Sequence, residues 1–264
     1  MDIYNVFNKM ANTVSGRVAK DLDVTQIMNS EMNNVVDYGL WIETVEIQKS
    51  FNESIAPGWQ LDKQHQKYDF WMAVLDETVE VLGSRHWKWW KNSSKMGEVD
   101  WDNIKVELID IFHFLLSIAI QQDMDHILFS QLVNIEMTKE ENPIIVKDEK
   151  FFEEFWNEFL MGVQMKILPI TCLKLIDFWY KAGGDANELF REYRIKAALN
   201  NIRQEFGYGA ANTYEKMWLD VNTGAKAEDN VIAWKLAQDI PLDSETTKKI
   251  TDKLRDYYIE HVAI

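Results

Sequence analysis

At 264 residues the chain can fill one large hydrophobic core or two smaller ones. Its 11 Trp, 13 Phe and 9 Tyr set against only 11 Gly and 4 Pro disfavour a turn-rich β-sandwich and suit long helices, so an all-α fold is expected. A formal charge of −15 and a pI near 4.8 exclude a protein that grips duplex nucleic acid through its phosphates. They do not exclude a small anionic ligand whose charge a divalent cation offsets.

In chain order, residues 1–36 are polar and weakly patterned, with Val6, Phe7, Met10 and Val14 giving at best a short amphipathic helix. They read as an N-terminal extension to a single domain over 37–264. No basic and apolar leader is visible at Met1–Tyr4, and the longest greasy run, Ile111 to Ile120, is too short to span a bilayer. No membrane association is therefore expected. The lone Cys172 excludes an intrachain disulfide, reads as core packing in the run Ile170 to Ile176, and suits a reducing, cytoplasmic setting.

Leu40, Val45, Ile47 and Phe51 predict a helix stopped at Ala56-Pro57-Gly58, with Gln48 and Asn52 on one face. A second helix is predicted from Tyr68 to Gly83 on a stripe of Trp71, Val74, Leu75, Val79 and Leu82. The loop after it crowds Trp87, Trp89 and Trp90 among Arg85, Lys88 and Lys91. Asp100 or Asp102 caps the next helix, which runs through Ile104, Leu108, Ile109, Phe112, Leu115 and Leu116 to Gln121 and is apolar nearly all round, hence central.

Lys139 to Pro143 form a connection, and Phe151 to Trp179 read as one or two helices interrupted near Pro169. Gly183-Gly184 mark a turn before a helix from Asn187 to Glu205, on which Lys196, Asn200 and Arg203 share a stripe. Beyond Gly207 the chain reads as irregular until an amphipathic helix from Leu242 to Tyr258.

Two pairs of acids stand on the most apolar helices: Glu77-x-x-Glu80 and Glu107-x-x-Asp110. Residues three apart share a helix face, so each pair points one way. Carboxylates in an apolar setting repel and resist ionisation unless a cation joins them. All-oxygen donors suit Mg²⁺, with Mn²⁺ able to substitute. Asp110-x-x-His113 beside Glu107 also fits part of a di-iron pattern, but Glu77-x-x-Glu80 supplies no second histidine. His113 reads as a group that supports the acids from behind or faces the substrate, or as a packed core histidine. The tryptophan loop reads as ordinary core aromatics or as a platform for a flat ligand with charged oxygens, a base stacking on indole and Lys88 and Lys91 meeting phosphate. The Lys196 stripe is a solvated face or a site for that same ligand class.

On Glu77, Glu80, Glu107 and Asp110, Trp87-Lys88-Trp89-Trp90-Lys91-Asn92, Ile109 to Phe114, Lys196, Leu199 to Gln204, Gly207-Tyr208, Tyr214, Lys216, Trp218 and Glu228-Asp229-Asn230, the chain resembles the dimeric all-α dUTPases. These are relatives of the phage dCTPase-dUTPases and of the wider all-α nucleoside triphosphate pyrophosphatases. The likeness spans about residues 40–230.

The resemblance implies a homodimeric helical bundle that splits dUTP between its α- and β-phosphates, giving dUMP and pyrophosphate. It implies that Glu77, Glu80, Glu107 and Asp110 hold Mg²⁺, that Gln48, Asn52 and Trp90 face the base, and that Lys196, Asn200, Arg203, Tyr208 and Lys216 meet phosphate. Glu77 is the expected general base, with Glu80 the other catalytic candidate. Ala197 and Gly209 depart from the family's usual Asn and Lys, so one phosphate contact is missing or supplied elsewhere. Dual use of dCTP, use of dUDP, and a non-enzymatic acidic helical module that binds a partner protein are the alternatives.

Overall fold

The computed structural model describes residues 36–64, 66–91, 94, 96–138, 145–208 and 213–262. The expected helix around Val6 to Val14, the connection at 139–143, the Lys91 side chain and Gly209 lie outside the described residues.

Among the described residues the fold is all-α apart from one short hairpin. Three aspartates open the first three helices by accepting backbone N–H bonds that the first turn leaves free. Asp37 caps α1 (Tyr38–Ile55) through Leu40 N, Asp69 caps α2 (Phe70–Gly83) through Met72 N, and Asp100 caps α3 (Trp101–Gln121) through Asn103 N. Asp102 sits in the first turn of α3, where its charge suits the helix dipole. Ala56 ends α1 ahead of Pro57, as the sequence predicts.

Next come α4 (His126–Thr138) and α5 (Glu149–Glu154), which passes through a π-helical turn at Phe155–Phe159 into α6 (Leu160–Gln164). Phe151, Phe155 and Phe159 stack in series along this segment, and the edge of Phe178 meets the first two with ring centroids 5.2 and 5.0 Å apart. The interruption expected near Pro169 falls at Met165–Ile167, and Pro169 itself lies in the first turn of α7 (Leu168–Lys181), where its missing N–H costs nothing. Asp185 caps α8 (Ala186–Glu205). The stretch expected to be irregular contains an antiparallel hairpin, β1 (Met217–Asp220) and β2 (Ala225–Glu228), with Met217 opposite Glu228. It leads into α9 (Asp229–Ala237) and α10 (Thr246–His261).

Fourteen of the 21 residues of α3 are buried, which makes it the axis of the molecule. Helices α1, α2, α7 and α8 all pack against it. Leu189, Phe190, Tyr193 and Ala197 of α8 belong to the main core, while Ile195, Ala198, Leu199 and Ile202 face a second cluster built with Trp218, Ile232, Ile250 and Leu254. Helix α8 is thus a shared wall. Cys172 is buried in the main core, and burial pushes its thiol well above the ordinary range.

Two core expectations need correction. The buried stripe of α2 is Trp71, Val74, Thr78 and Val81, whereas Val79 is 55 % exposed. None of the loop tryptophans is core: Trp87, Trp89 and Trp90 are all exposed, packed edge-to-face on one another at 5.3 and 5.6 Å.

At the α7–α8 turn, a Cβ on Gly184 would lie 2.3 Å from Cε2 of buried Trp179, whose Nε1 donates to the Asp185 carbonyl. Gly184→Ala is therefore expected to destabilise by ~3 kcal/mol through overpacking, measured by urea unfolding.

Candidate active site

The carboxylates Glu77 on α2 and Glu107 and Asp110 on α3 meet where these two helices pack, with ligand oxygens all within 4.8 Å of one another. Position explains their exposure. Glu107 faces α2 and is buried, while Glu77 lies on the flank of the Val74–Thr78–Val81 stripe and is half-buried. Glu80 is one step further round and exposed, yet its charge still reaches Glu77 and Glu107. Asn103, one turn before Glu107 and not anticipated from sequence, donates to Glu107 Oε1 at 3.0 Å and to Ser84 Oγ at 2.9 Å, linking the end of α2 to the acid.

Burial first, then the neighbouring charges of Asp110, Glu107 and Glu80, push the Glu77 carboxyl up to about 8. Burial and the charges of Asp110 and Glu80 push Glu107 to about 7. Acids buried this close together resist ionisation unless a divalent cation offsets their charge. The donor set is all oxygen, which fits a hard cation such as Mg²⁺ or Mn²⁺. Among the described residues no histidine joins this group, and His113 turns its Nδ1 to Gln48, which does not favour the di-iron alternative.

A buried polar network lies one turn further along α3. Gln48 Nε2 donates to Asn52 Oδ1 (3.0 Å) and Ser117 Oγ (3.1 Å), and Asn52 Nδ2 donates to the same Ser117 Oγ (2.8 Å). Gln48 Oε1 must then accept, from Tyr193 Oη at 3.0 Å and from His113 Nδ1 at 2.8 Å. His113 therefore carries its proton on Nδ1 and stacks on Tyr193 with ring centroids 4.3 Å apart. Burial, helped by the Lys196 charge, lowers its pKa to about 3, so it is neutral. Its Nε2 is a buried acceptor with no partner among the described residues. An orphan of this kind costs roughly 1–3 kcal/mol and is relieved by a ligand donor. Gln48 and Asn52 are each 2 % exposed, and Gln48 spends all its hydrogen-bonding capacity inside the protein. Gln48 thus orients His113, while the groups left open are His113 Nε2 and one Asn52 amide N–H.

On α8, Lys196 Nζ bonds Asp110 Oδ2 at 2.6 Å. Arg203 forms two bonds to Asp229, at 2.9 and 2.8 Å, and its Nη1 reaches Asn200 Oδ1 at 3.3 Å. The Tyr208 ring packs against both the Arg203 guanidinium (5.6 Å) and Lys216 Nζ (5.3 Å). Ala197 is buried in the main core, so that position faces away from any ligand here. Lys88 is half-buried and Trp90 exposed in the loop after α2, whose turn at Trp89–Lys91 leaves the indoles in solvent.

The fold and the acid cluster define an all-α protein with three converging carboxylates beside a buried polar network. The family model described as dUTPase matches residues 41–208, from Trp41 in α1 to Tyr208 just past α8, and the chain belongs to this family. Lys216, the hairpin, α9 and α10 lie beyond the matched span. No curated protein matches the chain. Among the described residues no helix is long and apolar enough to cross a membrane.

Proposed function

We propose that the protein is a Mg²⁺-dependent dUTP pyrophosphatase that yields dUMP and pyrophosphate. The observation that carries this reading is the convergence of Glu77, Glu107 and Asp110 at one helix interface, in a chain of the dUTPase family. Glu77, Glu107 and Asp110, with Glu80 at the exposed edge, would hold the cation, Mn²⁺ substituting. Mg²⁺ bound there supplies charge neutralisation of the triphosphate and a more acidic water.

The residues then divide the work. Glu77 takes the proton from the attacking water as its oxygen bonds to the α-phosphorus. The bond from that phosphorus to the bridging oxygen breaks and pyrophosphate leaves. Glu80 is the other carboxylate on the same helix able to accept that proton. Arg203, Lys216 and Tyr208, with Asn200 and Lys196, bind the phosphates, and Lys88 and Lys91 add positive charge from the loop after α2. Trp90 offers an indole face to the base. His113 Nε2 accepts and Asn52 donates, a pairing that the N3–H and a carbonyl of uracil satisfy.

A cytosine satisfies the same acceptor and donor through its amino group and N3, which keeps dCTP as a second substrate in view. A panel of dUTP, dCTP, dUDP and dTTP with and without Mg²⁺ tests the reading. Pyrophosphate from dUTP is expected, and orthophosphate in its place contradicts the reaction. The active species is a cytoplasmic homodimer in this proposal, and a monomer by light scattering at micromolar concentration argues against it.

Cation binding should depend on pH with a defined sign. Because Glu77 and Glu107 hold protons up to about 8 and 7, a divalent ion must displace them below those values. Mn²⁺ affinity is expected to rise roughly fiftyfold between pH 6 and 7, about tenfold from the Glu77 proton and about fivefold from that of Glu107, followed by calorimetry without nucleotide. A flat profile means the acids are already ionised there.

A further inference from the structure

The acid cluster has a cation of its own. Lys196 Nζ contacts Asp110 Oδ2 at 2.6 Å, and the two side chains retain only 10 % and 15 % of their exposure. Its charge extends beyond that partner, pulling down the carboxyls of both Glu77 and Glu107 against their acidic neighbours. The pair also bridges two elements with different duties. Asp110 stands on α3 among the candidate cation ligands, and Lys196 stands on α8 in the stripe with Asn200 and Arg203.

Arg203 offers a contrast within that stripe. It keeps a two-bond acid partner in Asp229 at the start of α9, and Asp110 makes the smallest contribution among the charges that favour it, so a charge arriving at the α2–α3 interface takes little from it. Among the described residues Lys196 has Asp110 as its ion-pair partner, with the neutral Asn230 Oδ1 at 3.4 Å beside it. An ammonium hydrogen-bonded to a carboxylate oxygen and a divalent ion held by the same acids repel steeply at this range.

We propose that Lys196 is an internal counter-ion of the carboxylate cluster, bound to Asp110 when no divalent cation is held and displaced from it when one is. Displacement frees the ammonium for the phosphates of the nucleotide, so cation and nucleotide favour each other's binding, reciprocally. The inference rests on the proposed cation site, and its test needs no substrate.

The full chain, stripped with chelator and exchanged into pH 8.5 buffer so that proton competition is small, is titrated with Mn²⁺ alone. Lys196→Met is expected to bind Mn²⁺ roughly tenfold more tightly than the wild type, because a repelling charge is gone and Asp110 is free. In a second arm, brief acetic anhydride labelling of the wild type is read by peptide mass spectrometry. Saturating Mn²⁺ is expected to raise acetylation at Lys196 several-fold and to leave Lys105, paired with Glu188 at 2.7 Å, unchanged. Equal or weaker Mn²⁺ binding by Lys196→Met, or Lys196 labelling that ignores Mn²⁺, overturns the inference while the cation site stands. Absence of Mn²⁺ binding in both proteins removes the site and the inference together. Should Lys196→Met not fold, the labelling arm decides by itself.

Discussion

Glu77→Gln is expected to make the ion-free protein more stable above pH 7 and to abolish hydrolysis at once. In the wild type, burial and three nearby acids hold the Glu77 carboxyl near 8 instead of the ordinary 4.5. A group raised in the folded state contributes stability that is complete below the ordinary value and lost as pH climbs through the folded one. The ion-free protein therefore loses stability between about pH 4.5 and 8, and glutamine, equal in size and uncharged, does not share the loss. In chelator, the melting temperatures of variant and wild type should coincide near pH 5. Near pH 8.5 the variant should melt higher, on the order of 3 °C for each kcal/mol regained. Saturating Mg²⁺ should reverse that order, since only the wild type keeps its full ligand set. Turnover should fall about 10³-fold, the scale of a lost general base. A variant that melts lower than wild type in chelator at pH 8.5 would show that the acids do not strain one another, and the cation site would lose its main support.

What could be read from the chain divides by range. The first three helices were legible because local signals agree: Asp37, Asp69 and Asp100 cap them, and apolar residues recur at three and four. Within α2 the stripe was misjudged by one position, because Val79 is as apolar as Val81 and only packing against α3 decides which of them is covered. The hairpin escaped notice for a different reason. Ala-Lys-Ala-Glu at 225–228 has helical propensity, and its strand conformation comes from pairing with Met217–Asp220 across the Asn222–Gly224 turn. Pro169 marks a helix start because it follows the break at Lys166, where φ is positive, a feature composition does not reveal.

The site shows the same division. Glu107 and Asp110 share a face by their spacing of three, and the apolar stripes of α2 and α3 bring Glu77 to them. Their supports were not visible. Asn103 has no periodic signature, and Ser117 and Tyr193 reach Gln48 from 69 and 145 residues away. Polar residues that meet only through the tertiary fold carry no local pattern, and the bonds of Gln48 to His113, Ser117 and Tyr193 are of this kind.

That arrangement leads to a test of base recognition. Gln48→Glu is expected to turn His113 from an acceptor into a donor. A carboxylate 2.8 Å from Nδ1 stabilises the imidazolium, so the pKa should climb from about 3 into or above the ordinary imidazole range. At neutral pH, Nε2 would then carry a proton and confront the N3–H of uracil with a second donor. Nucleotide affinity should drop by about 10²-fold or more, as sites built around a buried hydrogen bond do when the pairing is reversed. Tyr193→Phe removes one donor to Gln48 and leaves His113 neutral, so a loss near tenfold at most is expected from it. Histidine titration by NMR and nucleotide binding by calorimetry separate these effects. Wild-type affinity in Gln48→Glu alongside a protonated His113 would show that Nε2 does not read the base, and recognition would fall to Asn52 and Trp90.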